Sequence, residues 1–93
     1  MSYELLFLPP ALDEWKKLKE PGRSHLKKKL AEVLEQPRIP KNKLRGSADR
    51  YKIKLRALGV RLVYEVCDHT VTVTVIAVGK RDKGLVYRAA GKR

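Results

Sequence analysis

Lys52 and Lys54 stand two residues apart in a stretch that alternates apolar and basic residues, so a strand there presents both amines on one face. Arg61 follows after a short turn, which can bring its guanidinium onto the adjacent strand near them. Between Arg38 and Arg61 nine basic residues (Arg38, Lys41, Lys43, Arg45, Arg50, Lys52, Lys54, Arg56 and Arg61) face one acid, Asp49. Lys80-Arg81-Asp82-Lys83 adds a second cluster. Fixed guanidinium donors and crowded amines match phosphate oxygens, so this pattern points to a phosphodiester or another polyanion.

Other chemistries are thinly supported. His25 lies beside Lys27-Lys28-Lys29 and His69 at a hairpin tip, and both read as surface histidines. Cys67 has no partner that would activate it and reads as a small packed residue. Glu65 is placed on the same face as Arg61, where a cross-strand ion pair explains it as well as catalysis does. Glycine-rich phosphate loops and metal-ligand spacings are absent, so no metal and no cofactor is expected.

Composition bounds the rest. A chain of 93 residues fits a single domain, 1–93, and its 43% apolar content permits a core. Lysine and arginine number 22 against 10 acids, a net +12. Such an excess must be solvated or met by an anionic partner, which disfavours acid-rich metal sites as a class. One cysteine excludes an internal disulfide and suits a reducing cytoplasm. The apolar run near the N-terminus has no basic segment before it and is too short to span a bilayer, so no membrane association is expected.

Several elements must position the basic residues. Residues 3–8 form an apolar run bounded by Pro9-Pro10 and predict a buried strand. A first helix follows, with Ala11, Trp15 and Leu18 on one face, broken at Glu20-Pro21-Gly22. Leu26, Leu30, Val33 and Leu34 predict a second helix that Pro37 stops. The two helices form a hairpin laid on a sheet, and residues 38–46 form an exposed connector. Residues 49–56 and 60–67 alternate as strands around a three-residue turn, Ala57-Leu58-Gly59. Asp68-His69 is a candidate two-residue turn into a central strand rich in β-branched residues, 70–78. Asp82 is a candidate cap for a short last helix holding Leu85, Val86 and Tyr87. The class is α+β in the order β-α-α-β-β-β, a mainly antiparallel four-stranded sheet with a helical hairpin on one face and a short C-terminal helix. The opposite face is expected to stay open and nearly all positive, attracting phosphate backbones.

The stretch Asn42-Lys43-Leu44-Arg45-Gly46, then Tyr51 to Arg56, Arg61-Leu62-Val63-Tyr64, Val78-Gly79-Lys80-Arg81 and Tyr87 resembles the RelE toxins of toxin–antitoxin modules. The resemblance extends to Leu12, Glu14, Trp15, Lys17 and Leu18 and to Leu26-Lys27-Lys28-Lys29-Leu30, so it covers essentially the whole chain. It implies a ribosome-dependent, metal-independent endoribonuclease that cuts mRNA in the ribosomal A site, with Lys52, Lys54, Arg61, Arg81 and Tyr87 as its catalytic positions. It also implies an acidic, helical RelB-like antitoxin, the 70S ribosome as partner, and a toxin that is monomeric when free. Lys27, Lys28, Lys29, Lys41, Lys43, Arg45, Arg50, Arg56, Lys80 and Lys83 are the candidates for holding RNA and ribosome. The competing readings are a non-enzymatic, gyrase-inhibiting toxin of ParE type and a non-toxic basic protein that binds ribosomes or nucleic acid.

The residue types fit RNA cleavage. A lysine crowded by cations loses basicity, so Lys52 or Lys54 can act as the general base on the 2′-hydroxyl. Arg61 suits the non-bridging oxygens, and Arg81 suits charge on the leaving oxygen better than it suits proton donation. Tyr87 can stack on a base or bond the reacting hydroxyl. Lacking histidine, such a site leans on the ribosome to orient the substrate.

Overall fold

The computed structural model describes residues 2–93. Strand β1 (Glu4–Phe7) leads into α1 (Pro9–Lys17) and α2 (Gly22–Glu35), and a short 3-10 turn, Pro40–Asn42, precedes the rest of the sheet. Strands β2 (Arg50–Leu55), β3 (Val60–Cys67) and β4 (Thr72–Lys80) follow, and α3 (Leu85–Gly91) closes the order. Along the sheet the strands run β1-β4-β3-β2, with β1 parallel to β4 and the other pairs antiparallel. The α+β class and the element order are those expected from the sequence.

The local reasons are visible in the chain. Pro9 and Pro10 occupy the first turn of α1, where a missing N–H costs nothing. Leu26, Leu30 and Val33 of α2 and Ala11 and Leu18 of the first helical segment pack on Tyr51, Ile53, Leu62, Tyr64, Val66, Val73 and Val75 in one core. Tyr51 and Tyr64 stack within it at 5.5 Å, and the Tyr64 hydroxyl donates to the Pro37 carbonyl at 2.7 Å. Arg38 is the clamp of the connector: its guanidinium donates to Asp49, Asp68 and Tyr51.

Several expectations need correction. The second sheet face is not open: α3 packs on it, so that Val63, Ile76, Ala77, Val86 and Ala90 form a further buried cluster. The β2–β3 turn spans four residues, 56–59, because Leu55 already pairs with Val60. Arg56 therefore sits in the turn, and Gly59 takes a φ of +64 that other residues resist. The β3–β4 turn likewise spans 68–71 rather than two residues. Asp82 does not cap α3 with its side chain; Gly84, at φ +74, occupies the cap position. Cys67 is exposed rather than packed, because the strand end that carries it projects beyond the core.

One irregularity escapes the alternation of β4. Val63 pairs with Ala77 but Tyr64 with Val75, so Ile76 is an extra residue in β4. The bulge shifts the phase of the strand. Val73 and Val75 point to the helical hairpin before it and Val78 after it, while Ile76 and Ala77 pack under α3.

Candidate active site

Four of the five predicted catalytic residues line one cleft of about 300 Å³, formed where the ends of β2 and β3 meet the loop from β4 into α3. Lys54 comes from β2, Arg61 from β3, Arg81 from the end of β4 and Tyr87 from α3. Lys80 and Lys83 add two more cations, and Asp82 is the one acid in the lining. The backbone N–H of Arg81 donates to the Gly59 carbonyl, which ties the end of β4 to the turn between the two lysine- and arginine-bearing strands.

Lys54 and Arg61 are register partners. Lys54 is exposed, and the neighbouring Lys52 charge, then desolvation, then Arg56 and Arg61 hold its amine below the ordinary lysine value. Lys52 lies outside the cleft lining and acts on it through that charge. Arg61 is buried, at 7% exposure, and its guanidinium donates to the adjacent Val60 carbonyl and lies against the Tyr87 hydroxyl. Among the described residues no carboxylate lies within ion-pairing distance of it. A buried cation left without a counter-ion is costly, and the cost is offset when an anion enters.

Tyr87 stands over this arginine. Its hydroxyl is buried without a hydrogen-bond partner. Burial pushes its phenol up, and the charge of Arg61 together with a polar contact to that guanidinium pulls it part of the way back. Leaving a hydroxyl unpaired costs about 1–3 kcal/mol, and α3 has little with which to meet that cost. Val86 and Ala90 are its buried side chains, and burying two such groups contributes about 2 kcal/mol. Ordering seven residues costs about 1 kcal/mol or more each. Two arginines supply further anchorage. Arg50 donates to the Ala90 carbonyl at 2.6 Å while paired with Glu65 at 3.0 Å, and Arg93 binds Glu14 and the Ile76 carbonyl. Part-buried bonds from a guanidinium to a carbonyl contribute about 1.5–3 kcal/mol each, and more exposed ion pairs about 0–1 kcal/mol.

The ParE toxin family of type II toxin–antitoxin systems matches residues 5–84. The mRNA interferase toxin RelE of Escherichia coli strain K12 is 59% identical over 93 residues, covering 100% of this chain and 98% of that protein. The chain belongs to the RelE/ParE toxin family. Within that family its likeness is to RelE. A mutant of E. coli RelE in the free state superimposes with a TM-score of 0.91 at 58% identity, over 100% of this chain and 98% of that one. RelE in the intact E. coli RelBE toxin–antitoxin complex gives 0.84 at 58% identity, over 88% of this chain and 100% of that one.

The family's docking candidates separate into groups. Lys29, Lys41 and Arg56 line a second cleft of about 490 Å³ between α2, the 3-10 turn and β2. Lys54 lines both clefts and so joins them. Lys27, Lys28, Lys43 and Arg45 are exposed outside both. Arg50 is the exception among the predicted RNA-holding residues: it points inward, spent on Glu65 and the Ala90 carbonyl, because its strand face is the one α3 covers. Sequence reasoning missed Glu14 and Arg93 as a pair, and no local signal links residues 79 apart.

Proposed function

We propose that this chain is the toxin of a type II toxin–antitoxin pair, a metal-independent endoribonuclease that cuts mRNA in the A site of the 70S ribosome. The observation that carries the reading is Arg61, a buried guanidinium without a carboxylate, at the floor of a cleft walled by Lys54, Arg81 and Tyr87. The likeness to RelE mRNA interferases supports the same reaction.

The chemistry is a transesterification. Lys54, with its lowered basicity, takes the proton of the 2′-hydroxyl. The 2′-oxygen forms a bond to the adjacent phosphorus as the bond to the 5′-oxygen breaks, leaving a 2′,3′-cyclic phosphate. Arg61 holds the non-bridging oxygens, where charge builds up. Arg81 stabilises charge on the departing 5′-oxygen, which takes a proton from water to leave as a hydroxyl, while Lys54 returns the proton it took to solvent. Tyr87 stacks against the base beside the cut. Lys52 keeps Lys54 competent rather than touching the RNA.

Free RNA seldom holds its 2′-hydroxyl in line with the phosphate, so the ribosome supplies orientation. The exposed cations Lys27, Lys28, Lys29, Lys41, Lys43, Arg45, Arg56, Lys80 and Lys83 hold ribosomal and messenger RNA. The same charge invites an acidic, helical antitoxin of RelB type, as in the RelBE complexes that this fold resembles. A monomer acting on translating ribosomes works in the cytoplasm.

The test is a programmed 70S ribosome with a defined A-site codon and a 5′-end readout. Cleavage within that codon at stoichiometric protein, and little cutting of the naked message, is the expected result. An intact codon overturns the reading. Gyrase-dependent DNA breaks in cells, without new mRNA ends, would replace it with the ParE-type activity.

A further inference from the structure

Strand β1 ends at Phe7, opposite Val75, so β4 continues past its neighbour. The bulge at Ile76 then turns the Ile76 carbonyl and the Val78 N–H toward that vacated edge, where backbone groups need partners. Two side chains take the place of a strand. Arg93 donates to the Ile76 carbonyl at 2.8 Å, and Glu14 accepts from the Val78 N–H at 3.2 Å. The two also bind each other through a fork of 2.9 and 3.0 Å. Glu14 belongs to α1 and Arg93 lies just past α3, so this one contact ties the helix bearing Tyr87 to the opposite end of the chain.

We propose that Glu14 and Arg93 are positioning residues for RNA cleavage: their joint hold on the free edge of β4 sets where α3, and with it the Tyr87 ring, rests over Arg61. The proposal deepens the nuclease reading and rests on it for its effect on rate. It has a polarity that a generic ion pair lacks. Exchanging the two charges would keep the attraction but set a guanidinium against the Val78 N–H and a carboxylate against the Ile76 carbonyl. Arg93→Lys keeps the charge and loses the planar fork that reaches both Glu14 oxygens and the carbonyl at once.

The experiment compares Arg93→Ala, Glu14→Ala, Arg93→Lys and the exchanged pair with the wild-type chain. Arg93 lies outside every helix and strand, so its replacement leaves the sheet core intact. In the free protein the Tyr87 ring is followed by NMR titration, and the Arg88 amide, bonded to Gly84 at the start of α3, by hydrogen exchange. The alanine variants should titrate Tyr87 closer to an exposed tyrosine and exchange the Arg88 amide about tenfold faster, with the amides of β3 unchanged. On programmed ribosomes their single-turnover rate should fall about tenfold or more at unchanged ribosome affinity. Arg93→Lys should recover part of the rate and the exchanged pair none of it.

Unchanged Tyr87 titration and Arg88 exchange in Arg93→Ala would overturn the proposal. So would a loosened α3 with an undiminished rate, rescue by the exchanged pair, or equal loosening of β3, which would mark a merely structural role. A wild-type chain that leaves ribosomal mRNA intact would instead remove the nuclease reading and with it the claim on rate. The Tyr87 and Arg88 readouts would then uphold or overturn the positioning itself.

Discussion

Lys54 and Arg61 are partners across the β2–β3 ladder, yet the lysine is exposed and the arginine buried. The edge strand leaves Lys54 to solvent, while α3 and the β4 loop close over Arg61. The amine to which the proposed reaction gives the proton and the guanidinium to which it gives the phosphate are thus held by one pair of backbone positions.

Burial without a counter-ion makes Arg61 a liability for the fold. Arg61→Met, which fills similar volume without charge, should leave the folded state as stable or raise its stability by about 1 kcal/mol. Cleavage should fall by about a hundredfold or more. Denaturant melts beside a single-turnover ribosome assay check both. A marked loss of stability would mean that the guanidinium has a partner in the fold.

Lys52 should act on pH dependence rather than on binding. Its charge is the largest cause that lowers the Lys54 amine. Lys52→Gln should return that amine toward its ordinary value, so less of it is neutral at pH 7. The pH–rate inflection should move to higher pH, with the variant and wild-type rates converging on its alkaline side. An inflection that stays in place would reassign the base.

Tyr87→Phe removes a buried hydroxyl that has no partner. The free protein should keep its stability to within about 1 kcal/mol, since the ring is kept and the hydroxyl makes no bond of good geometry to the nearby Arg61 guanidinium. If the phenol contacts the reacting RNA, cleavage should fall while ribosome affinity holds. A destabilised variant would show that the hydroxyl is bonded in solution.

Glu14 predicts a loss of stability in acid. Burial pushes its carboxyl up, but the Arg93 hydrogen bond, the Val78 N–H and the Arg93 charge together bring it below the ordinary 4.5. A carboxylate held lower in the folded state adds stability above its unfolded value and loses it as pH falls through the folded one. The stability gap between wild type and Glu14→Gln should therefore be full near neutrality and close only as pH drops through a range below the ordinary 4.5. Urea melts across that range are the measurement, and a gap independent of pH would contradict the assignment.

On the proposed function, the second cleft holds RNA without taking part in the cut. Reversing charge at Lys29, Lys41 and Arg56 should weaken ribosome binding and flatten its salt dependence, since fewer counter-ions are released. The rate at saturating protein should hold. Titrations at several salt concentrations would check this, and an unaltered salt slope would take these residues off the RNA path.

Much of this arrangement was legible in the chain because period-2 and period-3.6 patterns are local. Residues 60–67 read as a strand and are one, and the leucine spacing of α2 places its buried face. Lys54, Arg61, Arg81 and Tyr87 meet in one cleft, while Lys52 stands outside its lining. The rest depends on partners distant in sequence. The bulge at Ile76 hides in a uniformly β-branched run, so the shift of phase has no local mark. Arg50 looks like any other cation of β2 until α3 is placed above it. Glu14 and Arg93 read as an ordinary helix acid and an ordinary tail base.

The parallel pairing of β1 with β4 has a consequence for timing. The first strand has no place in the sheet until residues 72–75 exist. The cleft lacks its roof until Tyr87 has been added, so a ribosome still making this chain carries an unfinished blade. A chain cut short between residues 75 and 87 would therefore hold its first strand in the sheet and still lack a finished site.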